Sequence, residues 1–122
     1  MAKILIVDDE INVRKLYGEE LRNEGYETVS ASTVKEAIDS VERENPDLVI
    51  LDIKLGEESG IDALMSIAKQ RKHLPVILNS AYSIYRDNFQ TWAADAYIVK
   101  SVDLTMLKDK IRDLLATRSV QV

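Results

Sequence analysis

The chain has no cysteine, which excludes disulfides and thiolate metal sites and leaves the redox compartment open. Its four glycines are scattered, so there is no glycine-rich loop to cradle a phosphate. The one histidine, His73, closes the basic run Lys69-Gln70-Arg71-Lys72-His73 before Pro75 and reads as a solvated helix end. Apolar runs of about four residues are too short to span a bilayer, and Met1-Ala2-Lys3 leads straight into a strand pattern without a signal peptide. Acidic residues outnumber basic ones, 21 against 16 for a net charge of −5, which argues against nonspecific binding to nucleic acid or an anionic membrane. The expected compartment is the cytoplasm.

What is present is one core's worth of apolar residues, 46 % of 122, enough for a single domain. Four apolar runs each end on polar residues: Ile4–Val7 on Asp8-Asp9, Leu48–Leu51 on Asp52, Val76–Leu78 on Asn79-Ser80, and Tyr97–Val99 on Lys100. Segments with helical spacing lie between them, and strand–helix alternation is the pattern of a parallel α/β sheet. Glu27–Ala31 alternates polar and apolar residues, which predicts a half-exposed edge strand. The spacing predicts a helix over Ile11–Glu24, stopped by Gly25, with Val13, Leu16, Tyr17 and Leu21 inward.

Thr33 and Glu36 form a capping box for a second helix carrying Val34, Ala37, Ile38 and Val41, ended by Pro46. A third helix begins within Glu57–Gly60 and buries Ile61, Leu64, Met65 and Ala68. A fourth covers Ile84–Ala94, with Tyr85, Phe89 and Trp92. The fifth follows an Asp103 cap with Leu104, Leu107, Ile111, Leu114 and Leu115 inward. Residues 1–117 form the domain, and 118–122 read as a frayed tail.

The carboxyl ends of parallel strands share one edge, where ligands bind, so Asp8, Asp9, Asp52, Ser80 and Lys100 are expected to meet. Three carboxylates, charged at neutral pH, repel one another, and a hard divalent cation such as Mg²⁺ relieves that repulsion while bringing a phosphoryl group. With no catalytic His, Cys or glycine-rich loop, the covalent chemistry that fits is carboxylate attack on phosphorus. Asp52, alone after a central strand, is the expected nucleophile. Lys100 neutralises charge on the transferring oxygens and Ser80 donates a hydrogen bond. Each residue has a plainer reading: a helix cap for Asp8-Asp9, a loop carboxylate, a turn serine, a surface lysine, and a core aromatic for Tyr97. Their recurrence at successive strand ends favours the site.

Val7-Asp8-Asp9-Glu10, Leu51-Asp52-Ile53-Lys54, Ser80-Ala81-Tyr82 and Ala96-Tyr97-Ile98-Val99-Lys100 resemble the receiver domain of two-component response regulators over nearly the whole chain. The resemblance implies a flavodoxin-like doubly wound fold, with five parallel strands in the order 2-1-3-4-5 and helices on both faces. It implies Mg²⁺- or Mn²⁺-dependent phosphorylation of Asp52 by a sensor histidine kinase or a histidine phosphotransfer protein. Asp9, Asp52 and the Lys54 carbonyl would bind the ion directly and Asp8 largely through water. Ser80 and Tyr97 would form the switch, altering the face made by the fourth helix, fifth strand and fifth helix for a downstream protein target. The domain is then a self-modifying signalling module with its own dephosphorylation, not an enzyme. It is expected to be a monomer or a weak phosphorylation-dependent dimer, without direct contact to nucleic acid or membrane.

Three positions depart from the receiver pattern. Ser101 follows Lys100 where receivers usually carry a cis proline, and a cis bond before a non-proline residue costs about 2.5–4 kcal/mol, so the loop either holds that strain or rebuilds in trans. Gly56 replaces a frequent Pro, which predicts a more mobile segment up to Gly60. Ala93 replaces a frequent Gly, so the fourth helix should end differently or run longer. Lys54 and Tyr82, bulky neighbours of Asp52 and Ser80, would shield the phosphoryl group from water and lengthen its life. That pairing resembles the single-domain phosphorelay regulators of sporulation. Two rivals remain: a degenerate receiver that binds a partner without phosphorylation, and a Mg²⁺-dependent phosphohydrolase acting through an aspartyl phosphate. No output domain follows the fifth helix, which fits a stand-alone regulator and equally a piece of a longer one.

Overall fold

The structure, a computed structural model, describes residues 1–81 and 93–120. Strands β1 (Lys3–Val7), β2 (Glu27–Ala31), β3 (Leu48–Leu51), β6 (Val76–Ser80) and β7 (Ala96–Val99) form one sheet in the order β2-β1-β3-β6-β7. Every pairing in it is parallel. Counting these five alone, this is the predicted order 2-1-3-4-5. A separate two-stranded hairpin, β4 (Lys54–Leu55) and β5 (Glu58–Ser59), lies between β3 and the next helix.

Alternation along the strands sends side chains to two cores. Leu5, Val7, Val49, Leu51, Val76 and Leu78 meet α2 (Val34–Glu44) and α3 (Gly60–Gln70) through Ala37, Val41, Ala63, Leu64 and Ile67. Ile4, Ile6, Leu48, Ile50, Ile77 and Ile98 meet α1 (Ile11–Asn23) and the C-terminal helix (Thr105–Val120) through Tyr17, Leu21, Leu107 and Ile111, with Leu104 just before that helix. The central strands are apolar on both faces because helices cover both. Each fully buried Leu or Ile contributes about 1.5–3 kcal/mol. The half-exposed β2 sits at the edge as its alternation predicts.

Helix ends follow local chemistry. Thr33 Oγ1 accepts the Glu36 N–H at 3.1 Å, while the Glu36 carboxylate reaches Ser32. At the other end of α2, Asn45 takes a left-handed conformation, φ 48°, just before Pro46. Asp103 Oδ1 accepts the Thr105 N–H at 2.9 Å, the expected cap of the last helix.

Several expectations need correction. Leu16 is exposed, and Gly18 takes its place on the buried face of α1. The buried stripe of α3 is Ala63, Leu64 and Ile67, with Met65 turned outward, because the helix docks on the sheet through that side. His73 is exposed in the turn beyond α3 rather than in its last turn. The C-terminal helix runs to Val120, into the segment read as a tail, since neither Gly nor Pro follows Leu115. The fourth predicted helix, with Tyr85, Phe89 and Trp92, falls outside the described residues. Ala93 and Ala94 are not helical and lie in the approach to β7.

The loop after Asp52 is a hairpin with a two-residue turn, Gly56-Glu57. Gly56 has φ +62°, a left-handed value that Pro cannot adopt and that suits the first turn position of a type II′ hairpin. Gly60 is required for a different reason. A Cβ there would lie 2.0 Å from the Asp52 carbonyl oxygen, so only glycine lets α3 begin against the Asp52 backbone.

Candidate functional site

The ladder hydrogen bonds run one residue past three of the strands. Asp8 N–H donates to Ala31 O at 3.1 Å, Asp52 N–H to Val7 O at 2.9 Å and Lys100 N–H to Ser80 O at 2.7 Å. The first polar residue beyond each of these strands therefore inherits the sheet's rigidity, and the predicted residues converge on the carboxyl edge.

Asp8 and Asp52 are buried and Asp9 is exposed. One carboxylate oxygen from each lies within 4.8 Å of the other two. The Lys100 ammonium stands 2.7 Å from Asp8 Oδ2 and 3.1 Å from Asp52 Oδ2. Asp8 Oδ1 accepts the Glu10 N–H at 2.9 Å, and Arg14 Nη1 donates to the Asp8 carbonyl at 2.7 Å. Asp9 Oδ2 accepts the Gly56 N–H at 2.9 Å, which docks the hairpin onto the cluster.

Burial pushes the Asp52 carboxyl above its ordinary range; Lys100 pulls it back and the Asp8 charge pushes it up again. Burial alone would lower the Lys100 ammonium, but its bonds to Asp8 and Asp52 outweigh that and raise it. Three hard oxygen donors, two of them buried, with one shared ammonium, make a set suited to a divalent cation.

The remaining predicted residues are placed less uniformly. Ser80 is buried at the end of β6, opposite Val99. Tyr97 is half-buried in β7 and packs on the core beneath α2 and α3. The Lys54 side chain is exposed, and its backbone N–H points at Asp52 Oδ1 from 3.4 Å. Tyr82 lies outside the described residues. There is no cis peptide among the described residues, so the Lys100–Ser101 bond is trans, as the absence of proline favours.

Sequence reasoning missed Arg14, Tyr17 and Asn79. Asn79, one of the polar residues expected to end its strand, lies within β6 and is 2 % exposed. It accepts the Tyr17 hydroxyl at 2.7 Å and donates to the Ile98 carbonyl at 2.9 Å. A polar residue at the inward register of a strand was the available signal.

The family model of the response regulator receiver domain matches residues 4–112. The chain belongs to the response regulator receiver domain family. Among solved structures, the response regulator TrrA of Thermotoga maritima in complex with Mg²⁺-BeF is 46 % identical, with TM-score 0.89, covering 93 % of this chain and 99 % of that one. TrrA in complex with the histidine kinase ThkA gives 46 % and 0.87, with 94 % and 99 % covered. The sporulation initiation phosphotransferase F of Bacillus subtilis is 32 % identical over 120 residues, 96 % of either chain. Against a probable transcriptional regulator, ycf27 of Cyanophora paradoxa, at 34 % identity, this receiver domain spans 48 % of the relative's length. No described helix is long and apolar enough to cross a membrane.

Proposed function

We propose that this receiver domain accepts a phosphoryl group on Asp52 from a phosphohistidine and thereby changes its affinity for a partner protein. The observation that carries the reading is the Lys100 ammonium held between Asp8 and Asp52 within a three-carboxylate cluster at the carboxyl edge of the sheet. The donor is a sensor histidine kinase or a histidine phosphotransfer protein, a reading supported by the ThkA–TrrA complex and by the likeness to a phosphotransferase.

In the reaction an Asp52 oxygen attacks phosphorus, the phosphorus–nitrogen bond breaks, and the imidazole leaves. Lys100, already between the two carboxylates, turns its charge to the transferring oxygens. Asp9, Asp52 and the Lys54 carbonyl are assigned to hold a divalent cation, Mg²⁺ or Mn²⁺, with Asp8 acting through water. That cation, when bound, neutralises phosphoryl oxygens, in keeping with the Mg²⁺ and the phosphoryl-mimicking BeF of TrrA. Ser80 donates its hydroxyl to the new phosphoryl group. The hydroxyl's movement admits the Tyr97 ring, altering the face formed by β7 and the C-terminal helix.

Each phosphorylation consumes the carboxylate it modifies, so the domain is a switch that also dephosphorylates itself, not a turnover enzyme. It acts in the cytoplasm, as a monomer or a weak phosphorylation-dependent dimer, through protein partners rather than nucleic acid or membrane. The test is incubation with Mg²⁺ and acetyl phosphate or phosphoramidate, followed by intact mass, beside Asp52→Asn. One added phosphoryl group, absent in the variant, supports the reading. Mg²⁺ binding without any mass gain overturns it in favour of a degenerate receiver.

A further inference from the structure

Asn79 is the one buried amide side chain among the described residues, and it lies on the face of the sheet where Ile4, Ile6, Leu48, Ile50, Ile77 and Ile98 form the core. Burying an amide is costly unless each of its groups is bonded, and an apolar side chain of similar size is the cheaper occupant. Here the carbonyl oxygen takes the Tyr17 hydroxyl at 2.7 Å and the amino group gives a hydrogen bond to the Ile98 carbonyl at 2.9 Å. Tyr17 is itself buried in α1. The pair thus forms a polar relay from α1 through β6 to β7.

The far end of that relay lies two residues before Lys100. β7 borders the sheet, with one described strand beside it, so the placement of its last residues depends on β6. Consecutive residues of β6 reach across: the Asn79 amide holds the Ile98 carbonyl and the Ser80 carbonyl holds the Lys100 N–H at 2.7 Å. On the α1 side the relay borders a cavity of about 110 Å³ that Ser101, Leu104 and Leu107 also line. Burial raises the Tyr17 hydroxyl, so it remains a donor to Asn79 at neutral pH.

We propose that Tyr17 and Asn79 are positioning residues for Lys100: their buried relay anchors the end of β7 to α1 so that the ammonium sits between Asp8 and Asp52. The proposal builds on the phosphoryl-transfer reading, because a misplaced Lys100 is expected to slow that step. Tyr17→Phe keeps the ring and removes the anchor, leaving the amide oxygen unpaired. Tyr17→Phe with Asn79→Leu removes the unpaired amide as well and separates stability from positioning.

The rate of Asp52 phosphorylation by acetyl phosphate at saturating Mg²⁺ is followed by intact mass, beside thermal unfolding. Tyr17→Phe should unfold at lower temperature and react about tenfold more slowly, in line with the cost of small misplacements at a reacting centre. The double variant should recover part of the unfolding temperature, because the Ile98 carbonyl still lacks its amide donor, and remain slow. In a Lys100→Ala background neither change should slow the reaction further, which a purely structural role does not predict. A double variant reacting at the wild-type rate, or an equal loss in both backgrounds, overturns the proposal. The ¹H–¹⁵N signal of the Lys100 ammonium gives a readout independent of reactivity. Its loss or displacement in both variants supports the relay and an unchanged signal overturns it, even if the wild-type protein is not phosphorylated, an outcome that would sink the phosphoryl-transfer reading alone.

Discussion

Lys100 and Asp8 form the shortest ion pair of the site, 2.7 Å from Nζ to Oδ2, although the 3.1 Å contact to Asp52 joins the proposed acceptor. Asp8 is fastened on its other oxygen by the Glu10 N–H, so the lysine is leashed to a fixed carboxylate while remaining beside the reactive one. A single ammonium thereby offsets two buried negative charges.

Replacing Lys100 with Ala should destabilise the cation-free protein by about 2 kcal/mol at pH 7. That is less than the about 3–5 kcal/mol typical of breaking a fully buried pair, because the lysine end retains some solvent. Urea unfolding with and without Mg²⁺ checks it, and the loss should shrink when Mg²⁺ is present. An equal loss in both conditions would contradict charge compensation as the lysine's resting role.

Asp52→Asn should stabilise the fold at neutral pH. Burial raises the Asp52 carboxyl, so ionising it costs more in the folded than in the unfolded chain. Below about pH 4, the unfolded carboxyl's pKa, both states hold the proton and the penalty is absent. It grows as pH rises through the raised folded-state pKa. Solvent at the mouth of the site limits the gain to about 1 kcal/mol. Unfolding of both proteins from pH 3.5 to 7.5 should show curves that meet in acid and diverge upward in favour of the Asn variant.

Gly60→Ala should cost about 3 kcal/mol, since a Cβ 2.0 Å from the Asp52 carbonyl forces backbone apart. Phosphorylation should slow in the same variant because that backbone carries the acceptor. Gly56→Ala makes a useful contrast: its Cβ meets nothing within 4 Å, and only the left-handed φ is penalised, by about 1 kcal/mol. A comparable loss at both positions in urea unfolding would argue against the close approach.

Lys54→Ala combined with Tyr82→Ala should shorten the life of the phosphorylated protein by about tenfold, the equivalent of about 1.4 kcal/mol of barrier. Loss of the phosphoryl mass after rapid removal of the donor measures it. An unchanged hydrolysis rate leaves these two side chains without a shielding role.

Much of the site was legible in the order of polar residues at strand ends. Asp8, Asp9, Asp52, Ser80 and Lys100 are brought to one edge because parallel strands share their direction, a consequence of strand–helix alternation that needs no coordinates. Helix phase was less legible: Leu16 and Met65 fit an apolar spacing yet face outward, because which side of a broad apolar stripe is buried depends on how the helix packs on the sheet. The hairpin at 54–59 went unread because two-residue strands carry too little alternation to see, although Gly56 marks its turn.

The sequence by itself determined the fold class and the chemical membership of the cluster, since both follow from local pattern: apolar runs, their spacing, and the charge that ends each one. Tertiary structure alone decided which carboxylates share the lysine, that the Lys100–Ser101 bond is trans, and that Asn79 points into the core to meet Tyr17 across 62 positions of chain. These are relations between elements distant in sequence, set by how helices pack on the sheet, and no window of residues contains both partners.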